Sequence, residues 1–84
     1  MRPESAETHN NLGKLYVRTK RYKEAVNSFK AALALKPGYA EAHFNLAVAY
    51  TAAGNKLGAL EEYRILKTLD PRLAEEFYQR FVKK

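Results

Sequence analysis

The run His9-Asn10-Asn11-Leu12-Gly13-Lys14-Leu15-Tyr16 returns 34 residues later as His43-Phe44-Asn45-Leu46-Ala47-Val48-Ala49-Tyr50. Working outward from it, residues 6–39 align with 40–73, and nine of the 34 positions are identical. Random pairing at average composition would give about two. Beyond the quoted run the identities are Ala6/Ala40, Glu7/Glu41, Ala25/Ala59, Leu35/Leu69 and Pro37/Pro71. Gly13/Ala47, Val26/Leu60, Phe29/Tyr63 and Lys30/Arg64 are conservative mismatches. The chain is a tandem repeat, and a third copy opens at Ala74-Glu75.

Within each unit the apolar residues recur at helical spacing. Leu12, Leu15 and Tyr16 share one face, as do Ala25, Val26, Phe29, Ala32 and Leu33. The second unit repeats this with Leu46, Ala49 and Tyr50, then Ala59, Leu60, Tyr63 and Leu66. Two helices fit each repeat, and the pattern predicts five helices near residues 4–18, 22–35, 39–53, 56–69 and 72–82. Gly54 suits a left-handed helix end and Asn55 the start of the next helix. Lys20 stands in the place of Gly54, where the same turn carries a β-carbon penalty. Pro37-Gly38 and Pro71 stop the second helix of each unit, because proline lacks the amide and biases its predecessor away from the α region. Pro3 suits the first turn of the opening helix, and Pro71 that of the last.

These residues resemble the tetratricopeptide repeat, a 34-residue helix-turn-helix unit. The first copy carries the likeness as His9-x-x-Leu12-Gly13-x-x-Tyr16, then Ala25, Phe29, Ala32 and Pro37. The second carries it as His43-x-x-Leu46-Ala47-x-x-Tyr50, then Ala59, Tyr63, Leu66 and Pro71. The resemblance implies an all-α fold of antiparallel helix pairs stacked into a short right-handed superhelix. It covers residues 6–73 as two full repeats, with residues 72–84 as the family's solvating C-terminal helix, all in one domain spanning 1–84. Gly13, Ala47, Ala25 and Ala59 fall where the helices of a pair approach closely. Each pair has apolar residues on more than one face, so the pairs must stack. Two departures stand out. His9 and His43 replace a large aromatic, which should loosen packing at the inner helices. Leu66 replaces a small alanine, which should fill space against the last helix.

Composition bounds what such a module can do. With 84 residues and 9.6 kDa the chain makes one small domain of thin stability. Its 46% apolar and 29% charged residues are ordinary for a globular protein and too apolar for a disordered tail. The lack of cysteine excludes a disulfide framework and a zinc finger. Met1-Arg2-Pro3-Glu4 leads into no apolar run, and the longest uncharged stretch, Ala42 to Asn55, is too short to span a bilayer. A cytoplasmic location without a membrane partner is therefore expected.

No enzyme is expected either. Ser5 and Ser28 lack the base and orienting partner of a nucleophilic set, and Gly13, Gly38, Gly54 and Gly58 are scattered rather than gathered into a phosphate loop. His9 and His43 could serve a metal or proton site, but they stand one repeat apart with no carboxylate at ligand spacing. The sequence favours a packing role for both, and no metal or cofactor.

The resemblance implies a non-catalytic scaffold or adaptor that grips a peptide or helix on a concave wall lined by the first helix of each pair. Carried over by position, that wall would comprise Asn10, Lys14, Val17, Arg18, Phe44, Val48, Thr51, Tyr78 and Val82. Phe44, Val48, Tyr78 and Val82 would form an apolar strip, with Lys14 and Arg18 at one end. A ligand with apolar side chains and an acidic group would complement it. Some family members clamp a C-terminal carboxylate with lysine and asparagine. Here Asn10 and Lys14 lie beside the recurrent Asn11 and Asn45, but Glu75 and Gln79 stand where further basic groups would be needed.

Two alternatives use other features. Residues 1–37 carry 8 basic and 3 acidic groups, and Arg18, Lys20, Arg21 and Lys23 crowd one turn around Tyr22. That turn could give weak, salt-sensitive binding to nucleic acid or an acidic partner; a solvated surface turn is the favoured reading. The last helix places Phe77 and Phe81 on a broad apolar side that should cover Leu60, Tyr63 and Leu66. Phe77, Phe81 and Val82 are candidates for self-association as a homodimer.

Overall fold

A computed structural model describes residues 5–83. The helices are α1 (Ala6–Arg18), α2 (Tyr22–Leu35), α3 (Ala40–Ala52), α4 (Lys56–Leu69) and α5 (Pro71–Phe77). A π-helical segment, Tyr78–Val82, continues α5. Among the described residues there is no strand. Four helices lie where the apolar period puts them. The last differs, changing to π-helical geometry after Phe77 instead of running straight to residue 82. Pro3 lies outside the described residues; α1 is capped by Ser5, whose hydroxyl accepts from the Thr8 amide at 3.0 Å.

The two inter-helix turns of the repeats have one geometry built from different residues. The Arg21 amide reaches the Tyr16 carbonyl at 2.8 Å, and the Asn55 amide reaches the Tyr50 carbonyl at 2.8 Å. Both turns pass through a left-handed residue, Lys20 at φ 63° and Gly54 at φ 86°. Only the second has a glycine for it. Asn55 then caps α4, accepting from the Gly58 amide at 2.9 Å, whereas Arg21 makes no side-chain cap for α2. Pro71 opens α5 behind Asp70, which caps the Leu73 amide.

The helices pair as α1 with α2 and α3 with α4, and the pairs stack through α2 on α3 and α4 on α5. This leaves α1, α3 and α5 as neighbours in one layer, within a slab of 39 × 26 × 17 Å. The core follows the stack. Ala25, Phe29, Leu46 and Ala49 form one buried cluster, with Tyr16, Val17, Val26 and Leu33 around it. Ala47, Ala59 and Phe77 form the second, flanked by Phe44, Val48, Tyr63 and Phe81.

Three residues depart from their expected places. Leu46 is 2% exposed, but its repeat mate Leu12 is 39% exposed, because among the described residues no helix lies in front of α1 as α2 lies in front of α3. Leu66 is fully buried, as its size requires, and α5 covers Tyr63 through a Tyr63–Phe77 ring contact of 6.1 Å. Leu60, however, stays 47% exposed. It shares an open cleft with Phe81 and Val82 instead of being covered by them. Finally, His43 does not loosen the inner layer. It is buried and held by two short polar contacts.

Candidate functional site

The wall formed by α1, α3 and the C-terminal segment divides into a polar half and an apolar half. The polar half starts from Asn10, 1% exposed in the middle of α1. A buried amide must be fully bonded, and Asn10 does this across the repeat boundary. Its Nδ2 donates to Glu41 Oε2 at 3.4 Å, and its Oδ1 accepts from Asn45 Nδ2 at 3.1 Å. Lys14 Nζ, one turn further along α1, donates to the same Glu41 oxygen at 3.4 Å. Tyr39, which precedes α3, borders this network. Burial and then the Glu41 and Glu7 carboxylates push its phenol above the usual range, while a hydrogen bond with Asn10 pulls the other way.

The apolar half is carried by Phe44 and Val48, one turn apart on α3. Both are half-buried and pack against the cluster containing Phe77. The Phe44 ring meets Phe77 edge-on at 6.1 Å. Tyr78 and Val82 on the π-helical segment are 37% and 42% exposed. Thr51 turns its hydroxyl back to the Ala47 carbonyl at 2.9 Å. It also edges a separate cleft of about 310 Å³ at the end of the stack, beside Leu60, Phe81 and Val82. Val17 is half-buried against the first core cluster, and Arg18 is exposed at the last turn of α1.

The nine wall candidates therefore do not form one uniform surface. Asn10 is interior and acts as a bridge between repeats. Lys14 is already engaged by a carboxylate of the chain itself. Phe77, a self-association candidate, is 1% exposed and its ring faces Phe44, Tyr63 and Phe81 inside the molecule. The basic turn is partly tied down, with Arg21 ion-paired to Glu24 at 3.5 Å and stacked over Tyr16 at 5.4 Å.

Sequence reasoning missed a carboxylate beside His43. Glu62 Oε1 lies 2.6 Å from His43 Nδ1, and the Pro37 carbonyl lies 2.9 Å from Nε2. A carbonyl only accepts, so Nε2 donates to Pro37 while Nδ1 faces the Glu62 carboxylate. One histidine with one carboxylate makes a structural clamp, and no metal-holding group of three ligands occurs among the described residues. The repeat itself hides this pair, because position 28 holds serine where position 62 holds glutamate. Glu41 was legible only as a first-turn acid on a helix dipole; its link to Lys14 needs α1 and α3 side by side.

Helix pairs that bury their faces only against each other, with the first helices gathered into one wall, define an α-helical repeat protein. The family model described as tetratricopeptide repeat matches residues 10–74, and the chain belongs to that family. Members of this family serve in general as protein–protein interaction modules. No curated protein matches the chain. Among the described residues no helix is long and apolar enough to cross a membrane.

Proposed function

We propose that the chain is a non-catalytic adaptor that holds a peptide or short helix against the α1–α3–α5 wall. The observation that supports this reading most is the juxtaposition of a half-exposed apolar strip with a paired lysine. Phe44 and Val48 present part of their surface on α3, and Lys14 of the neighbouring α1 is paired with Glu41 in the first turn of α3, whereas the Tyr78 ring lies 6.0 Å from Tyr63 of α4. An apolar side chain placed on Phe44 and Val48 would bury surface already half dehydrated. An acidic group on the ligand would exchange with Glu41 for Lys14, and an exposed pair of this kind is worth less than about 1 kcal/mol to break. The fit is to a ligand carrying one or two apolar anchors and an acidic group.

The test is binding of acidic-apolar peptides, followed by fluorescence anisotropy, to wild type, Phe44→Ala, Val48→Ala and Lys14→Glu. The reading expects each variant to bind at least several-fold more weakly with unchanged helical circular dichroism. Loss of helicity in step with loss of binding would make these residues structural. Affinity that collapses in salt and tracks Arg18, Lys20, Arg21 and Lys23 instead would favour a polyanion on the basic turn.

A further inference from the structure

The two repeats treat the tyrosine near the end of their first helix differently. In the first, the Arg21 guanidinium lies over the Tyr16 ring, 5.4 Å from its centre, and is ion-paired to Glu24 at 3.5 Å. The second keeps the ring as Tyr50 but has Asn55 in place of Arg21 and Gly58 in place of Glu24. Asn55 turns back to cap α4 through the Gly58 amide, and among the described residues no cation stacks on Tyr50. A β-carbon at Gly58 would fall 2.9 Å from Tyr50 Cγ and Cδ2, so α4 presents no side chain to the ring at that position. What remains is a cleft of about 640 Å³ shared by Tyr50, Leu57, Gly58, Glu61 and Arg64. Leu57 is 81% exposed, and Glu61 has no ion-pair partner among the described residues. This face lies beside the stacking direction. Lys23, Asn27 and Lys30, the first-repeat mates of Leu57, Glu61 and Arg64, are exposed although α3 stacks on α2. The cleft is thus open whether or not a further repeat follows. Leu60 also borders it, but its mate Val26 packs against the neighbouring repeat, so the site excludes it.

We propose that this cleft binds an arginine side chain of a partner protein. The first repeat carries the pattern within the chain, a guanidinium on a tyrosine ring with a carboxylate beside it. In the second repeat the partner's guanidinium lies on the open part of the Tyr50 ring and pairs with Glu61, while its methylene stem lies along Leu57. Arginine is favoured over lysine, because the planar guanidinium both stacks on a ring and offers parallel donors to a carboxylate. Local charge agrees with a cationic ligand. Positions 21, 23, 24, 27 and 30 hold three cations and one acid, whereas their mates 55, 57, 58, 61 and 64 hold one of each. Arg64 is the cation that remains, and it opposes the incoming one. One stacked guanidinium and one exposed pair make a weak contact. Neither Phe44 nor Lys14 takes part, so this site and the peptide wall stand or fall separately.

Titration of the isotope-labelled protein with Nα-acetylarginine amide, followed by NMR, tests the proposal. The citrulline analogue, equal in shape and uncharged, is the control. The arginine probe should give saturable shifts centred on Tyr50, Gly58 and Glu61, with a Kd of about millimolar size. Its δ-methylene protons should move upfield in the ring current of Tyr50, and the citrulline analogue should do neither. Glu61→Gln should weaken binding about threefold, and Arg64→Gln should tighten it. Asn55→Arg, which supplies the chain's own guanidinium as in the first repeat, should abolish it. All three positions are exposed, and unchanged circular dichroism shows that the fold is kept. Equal binding of the citrulline analogue would overturn the proposal, as would affinity indifferent to both Glu61→Gln and Asn55→Arg. Shifts centred on Phe44 and Val48 instead, or no saturable shift up to the solubility limit of the probe, would also overturn it.

Discussion

Gly13 lies directly against the ring of Phe29. A β-carbon at Gly13 would fall 2.5 Å from Phe29 Cε1 and 2.7 Å from Cδ1 and Cζ. Phe29 is itself fully buried in the first core cluster, so the ring has nowhere to retreat. The missing side chain is what lets α1 and α2 close around an aromatic.

Gly13→Ala should therefore destabilise the protein even though alanine is the better helix former by about 1 kcal/mol. Overpacking of a filled core typically costs about 1–3 kcal/mol, so the expected net loss is about 1 kcal/mol or more in urea unfolding. Enlarging the site on the other side with Phe29→Leu in the same chain should recover part of it.

Lys20→Gly should stabilise. Lysine at φ 63° bears the left-handed penalty of about 1–2 kcal/mol, offset in part by glycine's greater freedom in the unfolded chain. A net gain of about 0.5–1 kcal/mol would raise Tm by several degrees in a domain of this size. Gly54→Ala, which introduces the same strain at φ 86°, should lower Tm in the same thermal melt.

Leu46→Ala and Leu12→Ala should separate sharply despite their identical place in the repeat. Leu46 is enclosed by α2, and its truncation should cost about 2–5 kcal/mol. Leu12 is 39% exposed, and its truncation should cost under about 1.5 kcal/mol. Equal losses by chemical denaturation would mean that α1 is covered in solution.

His43→Ala should cost about 2–3 kcal/mol, because it leaves the nearly buried Glu62 carboxylate without its partner. Adding Glu62→Gln to that variant should recover stability, so the two changes will not be additive in a double-mutant cycle.

Glu41→Gln should raise affinity for an acidic peptide on the wall by up to about fivefold, since Lys14 no longer exchanges partners. Titration calorimetry with a matched neutral peptide gives the control, for which affinity should not change.

Most of the helical frame was legible in the chain because its causes are local. Apolar spacing, prolines at 37 and 71, and Gly54-Asn55 place the boundaries without reference to any neighbour. Even the strained turn at Lys20 could be read from its alignment with Gly54. The site was less legible, because its residues act through partners that are 19 to 31 positions away, as His43 with Glu62 and Asn10 with Glu41. Side-chain type alone did not show that Asn10 would be interior or that Lys14 would be engaged.

Repetition and periodicity are properties of the order of residues, and they settled the family, the number of helix pairs and the places where the helices stop. Burial is a property of neighbours. Among the described residues the two repeats have different neighbours, so equal residues meet unequal surroundings. Leu46 is sealed while Leu12 is bare, Val26 is covered while Leu60 is not, and Phe77 is interior while Val82 remains at the surface. Those distinctions, which decide what the protein can touch, exist only once the helices are packed.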